Sequence, residues 1–325
     1  MQHDAITNRR GQPSRWLYLV SGLVLGLAVC LAVVLVSRST TGAWAGHERG
    51  LPEHMVGQPW LPTQLTFAGE RVPLERADVR EALDWELCVA ANWHSHILIG
   101  LKRAGRYFPI IEPILKSEGV PSDFKYLAVA ESTLYDLAVS PSRAVGVWQF
   151  LEGTARDFGL QVDDEVDERY HLEKATRAAC RYLKKSYAEH GSWTLAAAAY
   201  NMGHNGVRYQ SERQLSGDYY NLILGVETGR YVFRILALKQ VMENPQLYGF
   251  TLDSKELFPK LNCETIQVDS TITDLARFAL DHGANYKTLK WLNPWLRTNR
   301  LTVNPGQKYD IRLLRDSDRE KVYAQ

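Results

Sequence analysis

One acid in this chain stands where a carboxylate is ill at ease. In the stretch 120–150, VPSDFKYLAVAESTLYDLAVSPSRAVGVWQF, a helix over 122–133 puts Leu127, Ala128 and Glu131 on the face of Phe124, at offsets of three, four and seven. Pro121 and Ser122 predict the helix start, and Asp123 adds negative charge to its first turn. Glu131 therefore ends an apolar stripe. Burial disfavours the ionised carboxylate and raises its pKa, which is how a Glu becomes a general acid near neutral pH. A lone Glu on an apolar face is more often an ion-pair partner or a helix cap. Two later blocks turn the reading towards chemistry. Gly146-Val147-Trp148-Gln149-Phe150 supplies an aromatic and an amide, and Ala199-Tyr200-Asn201-Met202-Gly203 supplies a phenol and an amide before a turn. An acid among Ser, Gln, Tyr, Asn and Trp, without a metal-ligand cluster, suits a sugar-binding cleft.

These blocks carry a resemblance. Glu131-Ser132, Gly146 to Phe150, Gly153-Thr154-Ala155 with Phe158-Gly159-Leu160, Ala199-Tyr200-Asn201 and Glu227-Thr228-Gly229-Arg230-Tyr231-Val232 follow one another as in the lytic murein transglycosylases of the SLT (family 1) type. Asn244-Pro245 and Tyr248-Gly249 match the end of that domain. Within the class the chain is most similar to the membrane-bound D subfamily, which Trp148 typifies. The resemblance spans about residues 75–250. It implies a mainly α, lysozyme-like (goose-type/SLT) catalytic domain with Glu131 as the single acid/base. In that mechanism the acid protonates the oxygen between N-acetylmuramic acid and N-acetylglucosamine, and the substrate's acetamide supports the oxocarbenium-like centre. The ionised Glu then deprotonates the C6 hydroxyl, which attacks C1 and leaves a 1,6-anhydromuramoyl end. The resemblance further implies substrate-binding roles for Ser132, Ser140, Gln149, Tyr200, Asn201, Glu227 and Tyr231, with no metal and no cofactor.

The residues themselves leave alternatives open. Glycosidases usually need two carboxylates, and Asp136, Glu152 and Asp157, which follow Glu131, stand in no motif that marks a second one. A hydrolase of the same fold would recruit one such as Asp136 and a positioned water. A non-catalytic peptidoglycan-binding or scaffold protein would have no use for a buried acid.

Positioning these groups falls to a set of helices. Periodicity predicts helices over 79–93 and 98–115, with Pro109 or Pro113 kinking or ending the second. A helix begins near Leu172, after the acidic run 163–168, which lacks the alternating oxygens and glycine of a calcium loop and reads as a solvated turn. An alanine-rich helix from Thr194 delivers Tyr200 and Asn201, with Gly203 and Gly206 allowing the turn beyond.

After Gly249 the pattern changes. A strand over 265–268, a helix capped by Asp269 or Ser270 and carrying Ile272, Leu275, Ala276 and Ala279, a helix through Leu289 and Leu292, and a strand at Tyr309-Ile311-Leu313 follow in order. With Leu292-Asn293-Pro294 and Pro305-Gly306-Gln307, this order resembles a small α+β LysM peptidoglycan-binding module over 259–315. Val268-Asp269-Ser270-Thr271-Ile272 stands in place of its usual Gly-Asp-Thr-Leu opening.

At the other end, residues 16–36 form an uncharged apolar run of about 20 residues, the length that spans a bilayer. Arg9, Arg10 and Arg15 precede it, so 1–15 is cytoplasmic and the remainder faces the periplasm. We read the run as an uncleaved signal anchor in the inner membrane of the bacterial envelope. Ala43-Trp44-Ala45 offers a cleavage site as the alternative. Residues 37–74, rich in Gly and Pro, read as a linker or extended arm, and 75–252 as the catalytic domain. Thirty-eight basic residues against 37 acidic ones give no case for nucleic-acid binding. Peptidoglycan strands and the membrane are the expected partners. Cys88, Cys180 and Cys263 lack metal spacing, and nothing selects a disulfide among them.

Overall fold

The structure, a computed structural model, describes residues 58–315 together with Arg319 and Val322. The expected anchor at 16–36, the segment before it and the arm up to residue 57 lie outside the described residues. Among the described residues no helix is long and apolar enough to cross a membrane.

A small hairpin comes first. Strand β1 (Thr66–Phe67) pairs with β2 (Glu70–Arg71) across Ala68 and Gly69, whose φ values of 53° and 83° set the turn. Leu65, Phe67, Val72 and Leu74 are buried in the main core, so this stretch is packed. The hairpin also serves a helix far along the chain. The Glu70 carboxylate accepts hydrogen bonds from Trp193 N (2.6 Å), Thr194 N (2.9 Å), Ser192 Oγ (2.9 Å) and Thr194 Oγ1 (2.6 Å), which satisfies free donors at a helix start.

The mainly α body holds α1 (Ala77–Asn92), α2 (His94–Ser117), α3 (Phe124–Ser132), α4 (Glu152–Asp157), α5 (Leu172–His190), α6 (Trp193–Met202), α7 (His204–Gln214) and α8 (Val226–Glu243). Helix α8 is central: it packs on α1, α3 and α6, while α5 packs on α2 and α6. Pro109 and Pro113 do not end α2, which runs through both to Ser117. Each proline removes one rung of helix hydrogen bonding, and packing of Ile111, Ile114 and Leu115 into the core holds the rest. Helix α3 starts two residues later than its pattern predicts, because Asp123 is used elsewhere. Its carboxylate accepts from Ala68 N (2.8 Å) and Lys239 Nζ (2.7 Å), tying hairpin, α3 and α8 together. Gly206 lies inside α7 against Met202; Gly203 alone makes the turn, with φ 83° and ψ 154°. Cys88, Cys180 and Cys263 are free thiols.

The C-terminal region builds a second, small core, which Val145, Val166 and Tyr170 of the preceding domain also enter. Strands β3 (Glu264–Val268) and β4 (Tyr309–Leu313) are antiparallel, with Val268 opposite Tyr309 and Glu264 opposite Leu313. Between them lie α9 (Leu275–Asp281) and α10 (Tyr286–Leu292). The cap of α9 is Asp274, which accepts from Ala276 N (2.8 Å) and Arg277 N (3.2 Å); Asp269 and Ser270 lie upstream, and Ile272 bridges Leu301 instead of joining the helix. Asn293 is fully buried. Its amide donates to Arg312 O (2.7 Å) and accepts from Arg312 N (2.8 Å), so one side chain imitates a strand and docks β4.

The acidic run 163–168 is where the two regions meet, not a solvated turn. Asp163 Oδ1 accepts from the amides of Glu165 (2.9 Å) and Val166 (2.8 Å), shaping the loop. Glu165 binds Thr302 N (2.7 Å) and Arg300 Nε (3.0 Å). Val166 and Tyr170 enter the small core beside Leu296 and Trp295.

Candidate active site

Glu131 is the penultimate residue of α3. The face predicted for it is the face observed: Phe124, Leu127 and Ala128 are each fully buried. Its carboxyl lies at a cavity of about 530 Å³ lined also by Trp93, His96, Thr133, Arg230 and Arg234. Burial is the largest influence on the acid and pushes its pKa up to about 7; the nearby Glu227 charge adds to the rise. The Tyr231 hydroxyl, which donates to Glu131 Oε1, and the Arg234 charge oppose it. The result is a carboxylic acid whose pKa lies near neutrality, the range suited to giving and taking a proton.

The backbone just after the acid is strained. Thr133 and Leu134 have φ of 52° and 56°, the left-handed region that a β-branched residue avoids. Three bonds hold Thr133 there. Its N–H donates to Val129 O (2.7 Å), its carbonyl accepts from Arg103 Nη1 (3.1 Å), and its hydroxyl meets His96 Nε2 (2.6 Å). His96 in turn stacks on Trp93, with ring centroids 3.7 Å apart and planes 6° apart. The cavity wall and the turn carrying the acid are thus one unit.

The other predicted residues divide into three groups. Tyr231 and Tyr200 gather at the acid: Tyr231 touches it, and the Glu131 charge helps to raise the Tyr200 phenol well above its usual range, after burial. Tyr200 also donates to Trp148 O (2.7 Å). Ser132, Ser140 and Gln149 shape the loop beside the acid. Ser132 Oγ donates to Val147 O (2.9 Å), Ser140 Oγ accepts from Ala144 N (3.0 Å), and Gln149, at φ 49°, donates to Gly146 O (2.8 Å). Asn201 and Glu227 serve α8: Asn201 Oδ1 accepts from Thr228 Oγ1 (2.7 Å), and exposed Glu227 pairs with Arg234 (3.0 Å). Trp148 is not a cleft residue. It is fully buried and donates to Thr176 Oγ1 (2.8 Å), anchoring the loop to α5.

Sequence reasoning missed Glu86, Trp93, His96, Arg230 and Arg234. Glu86 is 2% exposed and binds Arg230 Nε at 2.5 Å. It shows the same signal as Glu131, an acid on the stripe of Leu83, Leu87 and Ala90. Arg230 and Arg234 follow Glu227 at three and seven residues, on the helix face that also carries Tyr231. Asp136 is a half-buried acid of a different kind. Burial raises its pKa against a hydrogen bond from Tyr107, and it lines a separate cavity of about 500 Å³ that also meets Trp291, Trp295 and Arg312.

Comparison with known proteins agrees with this layout. Residues 108–223 match the transglycosylase SLT domain, and residues 264–316 the soluble lytic transglycosylase C-terminal LysM-like domain. Over 210 residues the chain is 28% identical to membrane-bound lytic murein transglycosylase D of Escherichia coli, covering 63% of this chain and 46% of that protein. It therefore spans less than half the length of that relative. A putative tributyltin chloride resistance protein of Alteromonas sp. is 28% identical over 106 residues, 32% of this chain and 51% of its own length. Among solved structures, an inactive variant of the lytic transglycosylase Slt from Pseudomonas aeruginosa aligns with TM-score 0.36 and 24% identity, over 42% of this chain and 24% of that one. Residues 108–223 match an SLT-type transglycosylase domain and residues 264–316 a LysM-like domain, and the chain is homologous to membrane-bound lytic murein transglycosylase D of Escherichia coli.

Proposed function

We propose that this chain is a peptidoglycan lytic transglycosylase in which Glu131 acts alone as acid and then base. The observation that carries the reading is the company Glu131 keeps. It and Glu86 are the two acids lining the cavity, and Glu86 is committed to Arg230. Asp136, the carboxylate a hydrolase could recruit, lines a different cavity and is bound by Tyr107. One acid with a pKa near neutrality must then serve both halves of the reaction.

Protonated Glu131 gives its proton to the oxygen linking C1 of N-acetylmuramic acid to N-acetylglucosamine, and the C1–O bond breaks. The carboxylate left behind takes the C6 hydroxyl proton as that oxygen bonds to C1. Glu131 ends protonated, no water is consumed, and the product is a 1,6-anhydromuramoyl end. Tyr231 holds the acid in place, and Tyr200 and Asn201 contact the glycan from the end of α6. Ser132, Ser140 and Gln149 present the neighbouring loop to the glycan, and Glu227 contributes at the rim through Arg234.

In the same reading, residues 75–252 form the catalytic domain and 259–315 a glycan-binding module. The run 16–36 anchors the chain in the inner membrane with both in the periplasm. The name of the transglycosylase D relative supports membrane attachment and a murein substrate.

The test is mass spectrometry of purified peptidoglycan digested with the full chain and with Glu131→Gln. Fragments one water lighter than hydrolysis products are expected, falling by about 100-fold or more in the variant. Reducing-end fragments would replace this reading with a hydrolase.

A further inference from the structure

A cluster that the proposed reaction does not use lies where α5, α6 and α7 meet. Glu189 and His190 close α5 and His204 opens α7, and ligand atoms from the three lie within 4.8 Å of one another. Glu189 Oε2 is 3.6 Å from His204 Nδ1, and the two imidazole planes are 22° apart at a centroid distance of 6.5 Å. Nε2 of His190 and Nε2 of His204 are buried without a hydrogen-bond partner among the described residues. Buried ring nitrogens ordinarily have one. Two imidazoles, each with an unpartnered Nε2, and a nearby carboxylate form a donor set that zinc takes from proteins.

We propose that Glu189, His190 and His204 bind a zinc ion, with water at the fourth position, and that the ion staples the end of α5 to the start of α7. Tetrahedral zinc at about 2.1 Å from each ligand needs ligand atoms about 3.4 Å apart. Glu189 is exposed, so its side chain is free to supply the closing movement. Ser186 Oγ, 3.2 Å from His204 Nδ1, orients that ring, the kind of outer contact that tunes a metal ligand. The positive charges of Lys185 and Arg208 act on the rings, and the Glu189 carboxylate is the counter-charge a dication needs there.

The staple bears on the cleft through two short links. Gly203 alone joins α6 to α7, so fixing His204 fixes the turn two residues after Asn201. The Tyr182 ring stacks on His204 at 4.4 Å and meets the Tyr200 ring at 5.1 Å. The inference stands on these side chains and does not depend on the reaction assigned above.

Calorimetric titration of zinc chloride into the EDTA-treated full chain tests it, with thermal unfolding followed in parallel. One zinc per chain and a higher Tm are expected, with affinity at least about tenfold lower in Glu189→Gln, His190→Gln and His204→Gln. Glu189→Gln, at an exposed position, keeps the test decisive if a histidine variant fails to fold. Absence of zinc binding overturns the proposal. So does binding that is equally tight in Glu189→Gln and His190→Gln, which would put the ion on other ligands.

Discussion

Glu131 has a tunable partner in Tyr231. A hydrogen bond donated to a carboxylate favours its ionised form, so this one holds the acid below the value that burial alone would set. In Tyr231→Phe the burial effect acts with only Arg234 against it, and the pKa rises above about 7. The alkaline limb of the pH–rate profile, where the acid loses its proton, then moves up by roughly one unit. Glu227→Gln removes a nearby negative charge and moves the limb the other way by less. An unmoved limb in Tyr231→Phe would remove Tyr231 from the mechanism. At this scale the sequence was half legible. The offsets from Phe124 to Glu131 predicted an acid on the buried face, and the structure places Glu131 there, half-buried at a cavity. Glu86 sits on an identical stripe but is a structural ion pair, and its partner Arg230 lies 144 residues away. Local periodicity finds acids in awkward places; only the distant partner decides which of them are neutralised.

Among the elements, the loop after α3 is tightly constrained. Gly146 has φ 80°, and a Cβ built there would stand 2.2 Å from Arg169 O, a backbone atom with little freedom to retreat. Gly146→Ala therefore pays twice, in conformation and in contact, and destabilises the fold by roughly 3 kcal/mol or more in denaturant unfolding. Gly153→Ala is the matched control. It lies in α4 with open space around it and is neutral or stabilising by up to about 1 kcal/mol. Equal costs at the two sites would refute the steric argument. The existence of the helices was readable from their apolar periods, and α6 with its terminal Tyr200 and Asn201 was read correctly. Their ends were less so. Asp123 was drawn into a tertiary ion pair, Pro109 and Pro113 were overridden by packing, and the bridge of Ile272 to Leu301 moved the start of α9 past Asp269 and Ser270 to Asp274. In each case a long-range contact outweighed a local preference.

The LysM-like region and the SLT domain share more than an adjoining surface. Val145, Val166 and Tyr170 of the first part belong to the same small core as Leu275, Leu296 and Ile311. Polar ties reinforce it: Glu165 to Thr302 and Arg300, Tyr309 OH to Gln161 Oε1 (3.0 Å), and an ion pair between Arg312 and Glu173. None of this pairing was legible beforehand, since the acidic run carrying Glu165 has the composition of an ordinary solvated turn. The shared core predicts that the two regions unfold together. Asn293→Ala tests this, because it removes the side chain that docks β4 and leaves the Arg312 N–H and C=O without their partner in a partly buried setting. The expected cost is roughly 2–4 kcal/mol. A tail that merely hangs from the SLT domain would respond with a new, early transition and an unchanged main one by calorimetry. A tail that completes the domain's own core shifts a single transition downward and carries the SLT domain with it.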